Sequence, residues 1–276
     1  MDIFHKIFLV ARNDALHRAP IIPNYQMRIL DLGTGTGIWA IDMSEIPRNL
    51  RFQLSDFESE WTLGKESFDL IHLRQGCGSV SSWPMLYRRI FEYVKLESLV
   101  YHIGIEIPSG ALRGLMEAKM WSTGTLNLEH VEIDFQPRSD DVALPPDLNL
   151  VKWYNWLVDA TQRAGKSIAY QHTTRQLLQA AGFVDIAETI IRAPYNPWPS
   201  DPHHKDIGRW YNLGMTEGLE ALSLGPLTRV YHWSPDVVRG LIPGVAKDIC
   251  SKRLRAYNNM FVPAFPPQLC TLTYFA

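Results

Sequence analysis

The string Asp31-Leu32-Gly33-Thr34-Gly35-Thr36-Gly37 sets three glycines at alternate positions directly after a short apolar run. Glycines so spaced let backbone approach a ligand that side chains would hold off, and a helix opening just after them offers free N–H groups to an anionic end. Asp31 adds an acceptor at the end of the run. Two common phosphate-bearing ligands fit this loop poorly. A dinucleotide fingerprint places its third glycine three positions after the second, where Ile38 stands, and a P-loop needs a Gly-Lys-Ser/Thr ending that is absent. A second group is His130, Glu132 and Asp134, which share a face if their segment is a strand. His130 and Asp134 are the candidate bases, and Asp134 lies nearer the C-terminal end, where parallel sheets bind ligands. Tyr195, Trp198, Trp210 and Tyr211 are candidates for an aromatic wall against a flat acceptor. Cys77, Cys250 and Cys270 are scattered and odd in number, which fits a reducing compartment and suggests no zinc site.

Elements that alternate strand and helix must hold these residues. Apolar spacing predicts a leading helix from Met1 to about Ala15, a strand at Met27–Leu32, a helix at Ile38–Ile46, and strands at Leu50–Leu54 and Phe68–Leu73. A helix from Ser82 to Val94, a strand from Leu126 to Phe135, a helix from Leu148 to Ala164 and a strand from Val184 to Arg192 continue the rhythm. The expected class is therefore α/β, a doubly wound, mostly parallel sheet with helices on both faces, in a single domain over 1–276. Residues 95–125 interrupt it as an atypical insertion, and 200–252 form a helical lobe expected to serve as lid or substrate wall. With Lys+Arg 27 against Asp+Glu 29 the net charge is −2, which leaves no global field for direct nucleic-acid binding. No apolar run has the length of a membrane span, and the start lacks a small-residue cleavage site, so a cytoplasmic or nuclear location is expected.

The spacing D-x-G-x-G-x-G resembles motif I of the class I S-adenosylmethionine-dependent methyltransferases. In that setting Gly33, Gly35 and Gly37 receive the methionine part of S-adenosyl-L-methionine, and Asp31 accepts from its ammonium. An acidic ribose ligand is expected roughly 20 residues after the glycines, where Asp56 stands, with Phe57 against the adenine. Arg74, at the tip of the Phe68–Leu73 strand, is a further cofactor-side candidate, while Glu58 and Glu60 are equally readable as a solvated turn.

Longer strings are more specific. DIFHKIFLVAR, FESEW, DLIHLRQGCGSVSSWPMLYRRIF, EHVEIDFQPRSDD and NPWPSDPHHKDIGRWYNLG resemble the LaeA-like methyltransferases of filamentous fungi. The resemblance implies a place in fungal secondary metabolism, with two alternative roles. One is methylation of a small-molecule secondary-metabolite intermediate. The other is that of a nuclear regulator working through protein partners of the velvet type, with weak or automethylating activity. The chain begins almost at the leading helix, where the family carries a long extension, and that tilts the expectation toward the first role. The family's second strand, with its ribose ligand, has no counterpart in the short Ser44–Asn49 space. The Leu50–Leu54 strand is expected to take that slot beside the first strand, since crossovers are right-handed.

Overall fold

The computed structural model describes residues 2–19, 27–44, 50–95, 128–141 and 143–263. Among these, five strands form one sheet in the order β1-β2-β3-β5-β4. They are β1 (Ile29–Leu32), β2 (Leu70–Arg74), β3 (Leu128–Arg138), β4 (Glu188–Pro194) and β5 (Tyr257–Pro263). β1, β2 and β3 pair in parallel, and β5 runs antiparallel to both β3 and β4. Four strands thus point one way and β5 is the reversed one. This is the expected α/β class, with one antiparallel intrusion where the chain returns between β3 and β4.

The helices follow from apolar stripes and their caps. They are α1 (Ile3–Ala11), α2 (Ile38–Met43), α3 (Trp83–Tyr93), α4 (Asn149–Arg163), α5 (Thr174–Ala181), α6 (Pro202–Val230) and α7 (Pro235–Cys250). α1 starts at Asp2, whose side chain accepts from the His5 N–H, and it buries Ile7, Phe8 and Ala11. α3 and α5 cover one face of the sheet through Leu86, Tyr87, Ile90 and Leu178, packed on Ile71, Leu73 and Leu128. α1, α4, α6 and α7 cover the other through Ile7, Phe8, Trp153, Tyr211, Met215 and Val245, packed on Val131 and Ile133. Gly214 lets α6 come close to α1: a Cβ at that position would sit 2.7 Å from Ile7 Cδ1.

Two expectations change. Residues 50–56 form no strand, and among the described residues β1 is the edge of the sheet. The Leu50–Leu54 run alternates like a strand, but Phe52 and Leu54 are exposed, so there is no buried face to pin it beside β1. Asp56 consequently sits in a turn, not on a strand tip. The aromatic wall also dissolves: Tyr195 and Tyr211 are fully buried in the core, and Trp198 donates its indole N–H to the Ala256 carbonyl. Within 200–252, α6 and α7 contribute buried side chains such as Tyr211, Met215 and Val245 to this core. The expected insertion lies outside the described residues except for Lys95.

Candidate functional site

Gly33, Gly35 and Gly37 adopt φ of +68°, +58° and +79°, the left-handed region that L side chains rarely enter. Three such residues in five positions coil the chain at the C-terminal end of β1. The Gly37 N–H closes the turn on the Thr34 carbonyl at 2.9 Å, and the Gly37 carbonyl accepts from Ile41 at 2.9 Å to start α2. α2 is only six residues long, so its dipole is a minor feature. What the loop offers is exposed backbone at Gly33 and Gly35.

Two aromatic rings border this loop. A Cβ at Gly33 would lie 3.8 Å from Phe57, and one at Gly37 would lie 2.8 Å from Phe52, itself 60% exposed. Phe57 was expected here; Phe52 was not. The segment carrying Phe57 is pinned from several sides. Its carbonyl accepts from the Trp61 indole at 2.8 Å and from Arg89 of α3 at 3.2 Å. Next to it, Glu58 accepts from the Ser81 N–H at 2.7 Å, the Ser82 N–H at 3.2 Å and the Ser81 hydroxyl at 2.8 Å, and pairs with Lys166. Burial raises the Glu58 pKa, but the hydrogen bonds from Ser81, Lys166 and Ser82 outweigh it and hold the carboxyl below its ordinary range. Glu58 therefore ties its segment to Ser81 and Ser82, the residues that lead into α3, and is not a solvated turn residue. Asp56 is exposed and accepts from the Glu58 N–H at 2.9 Å. Its bonds close a local turn, and it is Phe57, the next residue, that reaches Gly33.

Asp31 leads to a feature that sequence inspection passed over. Its carboxylate meets His72 Nδ1 of β2 at 2.9 Å and keeps 11% of its side chain exposed. His72 stacks on Trp39 of α2, ring centroids 3.7 Å apart and 4° from coplanar. In register, Asp31 stands opposite His72 and His72 opposite Glu129 of β3, so three polar side chains cross the sheet in one row. Glu129 is wholly buried and accepts from Arg12, from the Arg18 N–H at 2.8 Å and from the Ala19 N–H at 3.2 Å. The available signal was a lone histidine in the apolar DLIHLR, which a buried strand does not need for packing.

Arg74 turns toward α1. Its guanidinium lies 4.8 Å from the Phe8 ring centroid and 3.1 Å from His5 Nδ1, while His5 Nε2 meets Asp42 of α2 at 2.9 Å. The chain Arg74–His5–Asp42 ties β2, α1 and α2 together beside the glycine loop. The candidate bases lie on the opposite face. His130 Nε2 meets Glu132 at 2.9 Å and its Nδ1 meets the Tyr87 hydroxyl at 3.3 Å, with Trp83 alongside. Glu132 in turn receives the Gly76 N–H at 2.5 Å and the Cys77 N–H at 3.3 Å, so it shapes the turn after β2. Asp134 is buried, bonded to Arg138 at 2.6 Å and to the Gln136 N–H at 3.1 Å, with His172 at 3.8 Å. Both ring nitrogens of His130 and both oxygens of Asp134 already have partners. Burial pushes the Cys77 thiol pKa up strongly, which keeps it a thiol.

Comparison with known proteins bears on this arrangement. A family model described as a methyltransferase domain matches residues 4–188. The chain is 52% identical to the secondary metabolism regulator LAE1 of Cochliobolus heterostrophus, over 95% of this chain and 84% of that protein. It is 39% identical to the protein-methionine methyltransferase laeA of Emericella nidulans, over 95% of this chain and 68% of that one. Among solved structures, that of the [4+2]-cyclase SpnF matches with a TM-score of 0.47 at 16% identity, covering 94% of this chain and 80% of that one.

Proposed function

The chain belongs to the LaeA-like methyltransferases, and on that premise we propose that it uses S-adenosyl-L-methionine to methylate a protein acceptor in the regulation of secondary metabolism. The observation that carries the cofactor assignment is the triple left-handed glycine loop, open at Gly33 and Gly35, with Asp31 at its root and Phe57 at its side. These residues fit the group. Exposed backbone N–H and C=O groups suit the amino-acid end, a partly exposed carboxylate suits an ammonium, and a flat ring suits a purine. When bound, the sulfonium supplies an electrophilic methyl group to a lone pair aligned behind it.

The chain's own residues then have to position and to exclude water. Phe52 and Phe57 border the loop, Asp31 orients the ammonium, and Asp56, next to Phe57 in the chain, is the acidic group assigned to the ribose. The partnered state of His130 and Asp134 favours an acceptor that loses no proton. A methionine thioether is such an acceptor, since its sulfur carries a free lone pair and becomes a sulfonium without deprotonation. The name of the Emericella nidulans relative points to the same acceptor class. The small-molecule alternative loses its support with the aromatic wall, because Tyr195 and Tyr211 belong to the core. Among the described residues no helix is long and apolar enough to cross a membrane.

Isothermal titration with S-adenosylhomocysteine tests the cofactor assignment, and lack of binding would remove it. Transfer of labelled methyl groups to methionine-containing peptides tests the acceptor. The rate should stay level from about pH 6 to about pH 9, and a steep rise with pH would instead point to an acceptor that must be deprotonated.

A further inference from the structure

The row Asp31–His72–Glu129 contains a buried atom with no partner. Among the described residues His72 Nε2 finds no hydrogen-bond partner, although the ring is almost entirely enclosed. An unsatisfied acceptor in the interior is unfavourable, and a leucine or phenylalanine at position 72 would pack against Trp39 without that cost. What the imidazole adds over such a residue is a single bond, from Nδ1 to Asp31. We infer that His72 is a positioning residue, whose Nδ1–H holds the Asp31 carboxylate at the mouth of the glycine loop to receive the ammonium group of the cofactor. The inference rests on the cofactor assignment above and deepens it.

The surroundings define the state of the ring. Asp31 faces it from β1, Glu129 from β3 and Arg74 from β2, and Arg12, after α1, neutralises Glu129. His5 of α1 and Asp42 of α2 are occupied with each other. Burial lowers the His72 pKa, and this outweighs the hydrogen bond and charge of Asp31 and the charge of Glu129, which raise it. The neutral ring must donate from Nδ1, because a carboxylate can only accept, and Nε2 is then left as the bare lone pair. The Trp39 stack fixes the plane in which the donation occurs. Asp31 is thereby held through one oxygen by protein, while its side chain retains some exposure at the loop.

The test compares two ligands on three proteins. S-adenosylhomocysteine carries the ammonium, and 5′-methylthioadenosine lacks the amino-acid part. His72→Phe keeps a flat ring for Trp39 and removes the donor; His72→Asn restores an amide N–H near the Nδ1 position. Titration should show His72→Phe binding S-adenosylhomocysteine about tenfold more weakly, the scale of one hydrogen bond to a charged group. Methylthioadenosine should bind all three proteins alike, and His72→Asn should recover most of the loss. Equal affinities for S-adenosylhomocysteine in wild type and His72→Phe, or equal losses for both ligands, would overturn the inference.

Wild-type protein that binds methylthioadenosine as tightly as S-adenosylhomocysteine would overturn it too, while leaving the cofactor site in place. Wild-type protein that binds neither would overturn the cofactor assignment and this inference together. If His72→Phe does not fold, His72→Asn against His72→Gln gives the same reading, because the glutamine amide reaches the Nε2 position instead. Nitrogen-15 spectra of the ligand-free protein supply a readout independent of binding. They should show His72 neutral with its proton on Nδ1 at about pH 7, and a proton on Nε2 would refute the role.

Discussion

At the scale of single residues, Gly35 is required by backbone angle and not by crowding. A Cβ at Gly35 would find its nearest neighbour, the Gly33 carbonyl oxygen, 3.9 Å away, yet φ there is +58°. Gly35→Val should therefore cost roughly 1–2 kcal/mol of stability from the left-handed conformation, leave the chain folded, and abolish cofactor binding by occupying the open face of the loop. Circular dichroism paired with titration separates the two effects. His72 carries a pH prediction of definite sign. Its folded-state pKa lies below the ordinary 6.5, so the unfolded chain takes up the proton first as pH falls. Its contribution is then fully present above about pH 6.5 and declines below it, by at most about 1.4 kcal/mol per pH unit. Urea unfolding at about pH 7.5 and about pH 5.5 should show a larger loss for wild type than for His72→Phe. Equal losses would mean that the folded ring takes up its proton over the same pH range as the unfolded chain.

Among the elements, the decisive piece is the irregular segment from residue 50 to residue 61. It replaces an expected strand with a loop pinned by Glu58 to the start of α3 and by Trp61 to the Phe57 carbonyl. Glu58→Ala removes the acceptor for two backbone N–H groups and the Ser81 hydroxyl. We expect a stability loss of about 1 kcal/mol, the net scale of a hydrogen bond, accompanied by weaker cofactor binding because the segment carrying Phe57 is less firmly held at Gly33. Thermal melts and titration would show both. Loss of stability with unaltered affinity would detach Phe57 from the site. The same segment shows the limit of pattern reading. Leu50, Phe52 and Leu54 alternate as a strand does, but alternation describes a face, and only a neighbouring strand or helix makes that face buried.

For the molecule as a whole, the leading segment and the sheet are joined by one interior ion pair. Arg12 and Glu129 have side chains 2% and 0% exposed, and Arg18 and Ala19 add backbone donors to the same carboxylate. Removing one partner of a buried pair strands the other charge. Arg12→Met should cost about 3–5 kcal/mol in chemical denaturation, whereas Arg12→Met with Glu129→Leu should recover much of it. Near-additive losses would show that Glu129 is satisfied by the backbone N–H groups alone. Because Glu129 also neighbours His72 in the row across the sheet, the single variant should disturb cofactor affinity as well as stability.

What the sequence by itself determined was local. Three alternate glycines after an apolar run required a left-handed coil at a strand end, and 3.6-residue stripes required α1, α3 and α4 close to where they occur. Longer strings identified the family, because strings of that length rarely recur by chance. Tertiary structure decided everything that depends on distant partners. It enclosed His130 between Glu132 and Tyr87, turned Arg74 to His5, buried Tyr195 and Tyr211, and bound Glu58 to the residues that lead into α3. It also brought His72 beside Asp31 from 41 residues away. A side chain's type states which bonds it can make, but which bond it does make depends on the strand register that sets its neighbours, and that register is a property of the packed sheet.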